Sequence, residues 1–243
     1  AYVNRWAAAP ADRIAVFTNN DDGHRTAADL AAAGVDVTAI IDSRPDAPES
    51  DIAELFAGAV VTGSSGRRGL GHVTVRRADG SRKHLDCGAL AVSGGWNPNV
   101  HLTCHHRGRP RWQEDIAAFV PGDGVPAGMN VAGAARGIFS TAGALADGQA
   151  AALAHLSDLG IKAAQARLPE AEDAPVGITP LWHVGGTKRA WLDQQNDVTV
   201  KDVGLAHQEN FRAVEHLKRY TTLGMAGDQG RTSNVPVSYT HLR

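Results

Sequence analysis

A strand–helix–strand pattern near the start of the chain constrains its fold more than any other feature. Residues 13–17 form a short apolar run, residues 26–33 are rich in helix-forming alanine and are followed by Gly34, and residues 35–41 form a second apolar run. A helix between two buried strands within about 30 residues makes the strands parallel and the crossover right-handed. The sequence therefore predicts an α/β fold built on a Rossmann-like βαβ unit.

The turn between the first strand and the helix is where such a unit binds a dinucleotide. Glycines at that turn let the backbone approach the pyrophosphate, whose charge is held at the helix N-terminus. This chain has Thr18, Asn20 and Gly23 at the three small-residue positions, so only the third glycine is present. Asp42 follows about 20 residues later, where an acidic residue would bind a ribose hydroxyl. The alternative is a βαβ unit kept for packing, with no nucleotide.

The rest of the chain alternates short apolar runs with turns. The pattern predicts a helix over 51–57, a strand over 59–63, a hairpin over 71–77 and 82–87, strands over 90–92, 118–120 and 129–132, and a helix over 141–159. Residues 164–190 contain three prolines and no sustained periodicity, which indicates a linker. A small helical unit follows over 197–225.

Composition narrows the class of partner. The 24 basic and 26 acidic residues give a net charge of -2, which lacks the basic excess of nucleic-acid-binding domains. No apolar run reaches the about 18 residues that a membrane helix needs. With only Cys87 and Cys104, the chain has no disulfide framework or four-thiolate zinc site, and a reducing cytoplasmic setting is expected. The absence of an initiator methionine leads us to expect a fragment.

The cluster His101, Cys104, His105 and His106 raises the question of a zinc site. In an extended strand the adjacent His105 and His106 would point to opposite faces, and no second group of ligands follows. A polar loop is the favoured interpretation, and no metal site is predicted.

Two segments resemble flavoproteins of the glutathione-reductase type, in which an NAD module is inserted into an FAD-type module. SGGWNPN at 93–99 is similar to their Gly-x-x-Pro-Asn return strand, and NVAGA at 130–134 is similar to their second flavin signature. The cofactor-binding residues that the resemblance implies are Gly94, Gly95, Gly133 and Ala134. Ala134 stands where that family has an aspartate that bonds the ribityl chain.

More narrowly, the chain resembles the alpha subunits of heterotetrameric sarcosine oxidases. The longest phrases that carry the resemblance are VFTNNDDG at 16–23, VSGGWNPNVHL at 92–102, QNDVTVKDV at 195–203 and VEHLKRYTTLGMAGDQGRTSNV at 214–235. The resemblance implies a complex that demethylates sarcosine to glycine, with peroxide and methylene-tetrahydrofolate as further products. It implies NAD in the alpha subunit, FMN at the interface with the beta subunit, FAD in the beta subunit, and beta, gamma and delta subunits as partners.

No residue of this chain is expected to act as acid, base or nucleophile, and the fragment alone is predicted to be inactive. Two alternatives remain. One is an alpha-like subunit of an opine or proline dehydrogenase complex, and the other is an inert assembly module that binds no nucleotide.

The C-terminal unit resembles a ferredoxin domain of the bacterioferritin-associated type, in which four cysteines hold a 2Fe–2S cluster. The corresponding positions here are Asp193, Gln195, Asp228 and Ser233. A cluster of this kind needs four thiolates, so no iron–sulfur cluster is predicted.

The predicted division of the chain follows from these resemblances. It comprises a link from the FAD-type module (1–12), the inserted NAD-type domain (13–92), the return portion of the FAD-type module (93–163), a linker (164–190), the ferredoxin-like unit without cysteines (191–235) and a tail expected to be an artefact (236–243).

Overall fold

The computed structural model describes residues 2–171, 177–186 and 189–231 together with residues 233 and 235, the side chain of His106 excepted. The helices are α1 (Tyr2–Trp6), α2 (Asp21–Ala32), α3 (Thr141–Asp158), α4 (Val200–Gln208) and α5 (Val214–Thr221). The strands are β1 (Arg13–Thr18), β2 (Asp36–Asp42), β3 (Leu55–Ala57), β4 (Val60–Ser65), β5 (His72–Arg76), β6 (Arg82–Asp86), β7 (Ala89–Ser93), β8 (Arg111–Gln113), β9 (Ala118–Val120), β10 (Trp191–Asp193) and β11 (Val198–Thr199).

A parallel sheet in the order β3-β2-β1-β7 forms the centre of the N-terminal region. The register sets Thr18 beside both Asp42 and Ser93, so the carboxyl ends of β1, β2 and β7 meet at one edge. In open α/β sheets this edge is where ligands bind. The predicted α/β fold with a Rossmann-like βαβ unit is confirmed.

The two faces of this sheet are covered by different layers. Ile14, Val16 and Ile40 pack beneath α2, whose Ala27 and Leu30 face them. On the other face, a cluster is shared with the antiparallel sheet β4-β5-β6: Ala15, Ala39, Ile41, Phe56, Ala59, Val73, Val75, Leu85 and Cys87. The period-2 alternation of strands places consecutive residues on opposite faces, which is why both cores come from the same short runs.

Helix α2 begins five residues earlier than the sequence pattern predicts. Asn20 is the N-cap, with its Oδ1 accepting a hydrogen bond from the Gly23 backbone N–H. Residues 21–23, predicted to belong to a turn, are therefore the first helical turn. The predicted end is correct, because Gly34 has φ +82°, a conformation that favours glycine after a helix.

The predicted strand at 59–63 is confirmed as β4, which belongs to the antiparallel sheet. Two predicted elements are wrong. Residues 51–54 form no helix, and Leu55–Ala57 is a strand that extends the parallel sheet beside β2. Residues 129–132 form no strand. Pairing with β2 and burial of Phe56 override the weak helical pattern, a common outcome for short segments.

The C-terminal region has its own small core. Strands β10 and β11 pair antiparallel, and α4 packs on α5 around Val198, Val203, Ala206, Leu217 and Leu223. The predicted helical unit is thus preceded by a hairpin that the sequence pattern did not indicate. The predicted tail lies outside the described residues, and the predicted domain boundaries remain predictions.

Between these cores, the described residues form the β8–β9 hairpin, short 3-10 helices and α3. Helix α3 confirms the predicted long helix and buries none of its residues. Residues 101–107 form a 3-10 helix rather than an extended segment, so the strand geometry used to argue against zinc was wrong. No helix among the described residues is both long and apolar enough to cross a bilayer.

Candidate functional site

The predicted nucleotide edge is held together by hydrogen bonds between neighbouring strand ends. The Asn20 side chain donates from Nδ2 to the Ser93 carbonyl oxygen (2.9 Å), while its Oδ1 accepts from Ser93 Oγ (3.0 Å). Thr18 Oγ1 accepts from the Asn20 backbone N–H at 3.1 Å. The side chain of Asn20 is therefore fully used in hydrogen bonds within the protein and is not presented to a ligand.

Gly23 serves the close approach of α2 to β1. A Cβ at this position would overlap the Thr18 side chain, so the helix packs against the strand only because residue 23 is glycine. This is the packing role that the third glycine has in a dinucleotide fingerprint. The βαβ geometry is thus retained although Thr18 and Asn20 occupy the first two glycine positions of the fingerprint.

Asp42, the predicted ribose ligand, is fully buried in an ionic network. Its Oδ2 accepts from Arg44 Nη2 (2.8 Å) and is 2.8 Å from His24 Nε2. Its Oδ1 accepts from the Arg44 backbone N–H (2.9 Å) and from Nε (3.1 Å). Arg44 in turn donates from Nη1 to Asp21 Oδ1 (2.8 Å). Both carboxylate oxygens of Asp42 are therefore satisfied without a ribose.

The pKa of Asp42 reflects this network. Burial alone would raise the pKa, but the hydrogen bonds from Arg44 and His24 and the charge of Arg44 outweigh burial and hold it below its ordinary value. The same contacts raise the pKa of Arg44, chiefly through its hydrogen bonds to Asp42. Asp42 and Arg44 are therefore both charged at neutral pH, as in a structural ion pair.

A segment from later in the chain covers the edge. Ile178 forms an antiparallel bridge with Asn20, and the Thr179 N–H donates to the Asn19 carbonyl oxygen (3.0 Å). The cavity left beneath the segment has a volume of about 190 Å³. Ligand pockets usually measure about 300–1,000 Å³, so this space is too small for a dinucleotide.

The first turn of α2 is acidic, with Asp21 and Asp22 at its N-terminus. Carboxylates there interact favourably with the helix dipole, where a pyrophosphate would otherwise bind. Together with the covering segment and the occupied Asp42, these charges mean that the inserted unit does not fit a dinucleotide. Arg44 and His24 were not predicted from the sequence, although an arginine two residues after a strand-ending aspartate indicates an ion pair.

The four residues implied by the flavoprotein resemblance lie in two places. Gly94 and Gly95 line the 190 Å³ cavity with Trp96 and Ile116. Gly94 and Ala134 are exposed, and a Cβ at Gly94 would meet nothing within 4 Å.

Gly133 is buried against α3. Its N–H donates to Asp147 Oδ2 (2.9 Å), and it has φ +63°. Ile116 also lies beside Gly137, at the end of the turn that contains Gly133 and Ala134. Gly94, Gly95 and Ala134 are thus the exposed positions of the four. Because Ile178 lies against Gly95, Gly94 and Ala134 are the two that a cofactor could approach.

Asp193 lies at the position of the first cluster-binding cysteine of the ferredoxin domains, and its side chain connects several parts of the C-terminal unit. Only 2% of the residue is exposed. Its carboxylate accepts from the backbone N–H groups of Gln195 (2.9 Å), Asn196 (3.1 Å) and Gly224 (2.8 Å), and from Asn196 Nδ2 (3.1 Å). Burial acts to raise its pKa, but these hydrogen bonds outweigh it and lower the pKa. The carboxylate therefore ties residues 193–196 to the loop after α5.

The other three positions differ from one another. Gln195 is exposed and its Oε1 lies beside Gly227, whereas Asp228 is half-buried and accepts from the Gly230 N–H (3.2 Å). Ser233 is fully buried and its Oγ has no hydrogen-bond partner in the described part of the chain. Among the described residues, no group of three or more His, Cys, Asp or Glu side chains could hold a metal ion.

Comparison with known proteins finds that this chain is similar to alpha subunits of sarcosine oxidases. Residues 187–240 match a family model described as the sarcosine oxidase A3 domain. The chain is 42% identical over 240 residues to the sarcosine oxidase subunit alpha of Rhizobium meliloti (strain 1021) and 37% identical over 257 residues to that of Corynebacterium sp. (strain U-96). Each match includes 97% of this chain but only 24% and 26% of the relative.

Among solved structures, the crystal structure of L-proline dehydrogenase from P. horikoshii resembles the whole chain, with a TM-score of 0.69 and 19% sequence identity. The match includes 47% of that protein. At this identity the likeness shows a shared fold. The resemblance predicted from the sequence is confirmed by the two curated relatives: over 97% of its own length this chain is a relative of the sarcosine oxidase alpha subunits, spanning about a quarter of them.

Proposed function

We propose that this chain is a non-catalytic part of the alpha subunit of a sarcosine-oxidase-like complex, where it supports NAD binding and subunit assembly. The observation that carries the proposal is the 42% identity to a sarcosine oxidase subunit alpha over 97% of this chain. In the intact complex, sarcosine is oxidatively demethylated to glycine, with peroxide and methylene-tetrahydrofolate as the further products. FMN at the interface with the beta subunit and FAD in the beta subunit supply the redox chemistry, and gamma and delta subunits complete the assembly.

The charges at the sheet edge support a non-catalytic role. A general acid or base must reach a substrate proton, whereas Asp42 and Arg44 are buried and bonded to each other. Asp21 is bonded to Arg44, and Asp22 to Arg25 and to Trp96 Nε1. These charged groups are thus bonded to one another at the edge of the sheet.

NAD is proposed to bind in the FAD-type module rather than in the inserted unit. The inserted edge is covered and acidic, as described above. Gly94 and Ala134 are exposed on the return portion, and the alanine has no carboxylate to oppose a pyrophosphate. These two residues would lie beside the dinucleotide, whose main glycine-rich loop is expected in another part of the alpha subunit.

The test is the NAD content of the intact alpha subunit, measured after denaturation. Replacement of Asp42 by alanine would leave Arg44 buried without its partner, so the double variant Asp42→Leu/Arg44→Met is preferable. It removes the predicted ribose ligand without leaving a buried unpaired charge on Arg44. We expect its NAD content to equal that of the wild type.

The matched variant on the FAD-type side is Ala134→Tyr, which adds bulk at an exposed position and should reduce NAD content at least by about half. Gly133→Val is unsuitable, since its Cβ would lie 3.4 Å from Ala144 and its φ of +63° disfavours valine. Ala32→Tyr, on the exposed end of α2, controls for the added ring. Loss of NAD in the double variant, with Cys87 still buried from a thiol reagent, would place the cofactor in the inserted unit.

A further inference from the structure

We propose that the edge of the inserted βαβ unit is a docking site for a peptide of the same chain, the strap formed by residues 177–182, which takes the place of a dinucleotide. This proposal goes beyond the one above and shares with it only the premise that no dinucleotide binds at this edge. It rests on the hydrogen bonds that the edge makes to the backbone N–H and carbonyl oxygen of Gly177.

Gly177 is bound at both its polar backbone groups. Its N–H donates to Asp21 Oδ2 (2.6 Å), and its carbonyl oxygen accepts from the Asp21 N–H (3.1 Å) and from Arg44 Nη1 (3.1 Å). Asp21 thus contributes its side chain and its free helix N–H to the same residue. The N-terminus of α2 is satisfied by a peptide carbonyl where a phosphate oxygen would otherwise bind.

The chemistry of these groups favours a peptide over a phosphate. A peptide unit offers one donor and one acceptor, and the edge presents the Asp21 carboxylate as acceptor beside two N–H donors. A phosphodiester offers acceptors only, so it would leave the Asp21 carboxylate facing a like charge. The acidic first turn, which opposes a nucleotide, is therefore complementary to the strap.

The site also requires glycine at the docked position. A Cβ on residue 177 would lie 2.8 Å from Asp21 Oδ2, which is too close unless the partly buried Asp21 side chain moves, and 3.4 Å from Arg44 Nη1. The next two residues continue the interaction through the Ile178 bridge to Asn20 and the Thr179 hydrogen bond to Asn19. Ile178 also fills the space above Gly95, where a Cβ would overlap it.

The same segment is held at a second point. Arg76 Nη1, from β5, donates to the Gly185 carbonyl oxygen at 3.1 Å. The described residues 177–186 are therefore held at two points of the N-terminal region, and β10 begins later in the chain at Trp191. Docking of the strap shortens the free connection between the parallel sheet and the C-terminal core. The edge formed by the carboxyl ends of β1, β2 and β7 would therefore help to join these two parts of the chain.

The test compares Gly177→Ala with Gly185→Ala by amide hydrogen exchange and mass spectrometry on the intact alpha subunit, without added nucleotide. Gly185 belongs to the same segment and also accepts a hydrogen bond, but a Cβ there would meet nothing within 4 Å. In Gly177→Ala we expect exchange at Asp21 and Thr179 to be at least about tenfold faster than in the wild type, with β1 and β2 unchanged. In Gly185→Ala we expect no change at any of these amides.

Three outcomes would overturn the proposal. Wild-type protection at Asp21 and Thr179 in Gly177→Ala would mean that the strap does not dock through residue 177. Loss of protection throughout β1 and β2 would make the strap part of the core rather than a docked peptide. Protection of residues 18–24 by excess NAD in the wild type would show that a nucleotide competes for the edge.

Discussion

Two buried carboxylates lie at positions that the sequence analysis relates to cofactor binding, Asp42 to a ribose and Asp193 to a cluster ligand. The protein stabilises their negative charges in different ways. Asp42, at the sheet edge, is matched by the charge of Arg44 and by His24. Asp193, in the C-terminal unit, is matched by four neutral N–H donors. Both have a lowered pKa, but only the first depends on an opposite charge.

The difference determines what each carboxylate stabilises. A buried ion pair is costly to break, since removal of one partner leaves an uncompensated charge. A carboxylate bonded to several N–H groups instead connects the segments that supply them, here residues 193–196 and Gly224. Asp42 therefore fixes the geometry of an edge, whereas Asp193 holds two loops together at a position where a cluster would otherwise do so.

The largest effect is expected from Arg44→Met. The variant keeps the length of the side chain but leaves Asp42 buried with His24 and one backbone N–H as partners. We expect the free energy of unfolding of the N-terminal region to fall by about 3 kcal/mol or more. Urea unfolding followed by thiol labelling of the buried Cys87 measures this loss.

Arg25→Met is the matched control, because Arg25 pairs with Asp22 at a largely exposed position of the same helix. Its effect should stay within about 1 kcal/mol. If Arg44→Met destabilised the protein no more than Arg25→Met, the ionic network around Asp42 would contribute nothing beyond a surface pair.

A smaller loss is expected from Asp193→Asn. The amide has the shape of the carboxylate, but its NH₂ group would face N–H donors, whichever way the side chain is turned. The unsatisfied contacts should cost about 2 kcal/mol and raise hydrogen exchange in α4. Asp197→Asn is the control, since Asp197 is exposed with φ +56°, a conformation that asparagine adopts readily. Equal exchange in the two variants would contradict the role of Asp193.

The sequence predicts the βαβ unit well because its two apolar runs pair directly with each other. Residues 13–17 and 35–41 lie in neighbouring parallel strands, and Gly34 ends the helix between them. The helix start was misplaced because Asn20 caps it through its own side chain, and Asp21 and Asp22 look like turn residues when read alone.

The candidate site was less predictable because its decisive contacts are distant in sequence. Thr18, Asn20, Gly23 and Asp42 do lie together, but the segment that covers them comes from residues 177–182. Composition marked that segment as a linker, and no local pattern indicates that a glycine 156 residues away binds Asp21. The pairing of Leu55–Ala57 with β2 was missed because the short segment has a weak helical pattern, which the pairing overrides.

The smallest effect is expected from pH, and it tests whether both carboxylates are stabilised in the folded state. A carboxyl group with a lowered folded-state pKa stabilises the protein above its unfolded value of about 3.9, and this contribution is lost as the pH falls through the folded value. We therefore expect amide protection of β2 and α4, corrected for intrinsic exchange, to stay constant from about pH 7 to about pH 5. Below about pH 4, β2 should lose protection more steeply than α4, because protonated Asp42 leaves the Arg44 charge buried while protonated Asp193 leaves only neutral groups. Loss of protection near either carboxylate already at about pH 5 would mean that burial outweighs the hydrogen bonds and raises the pKa of that group.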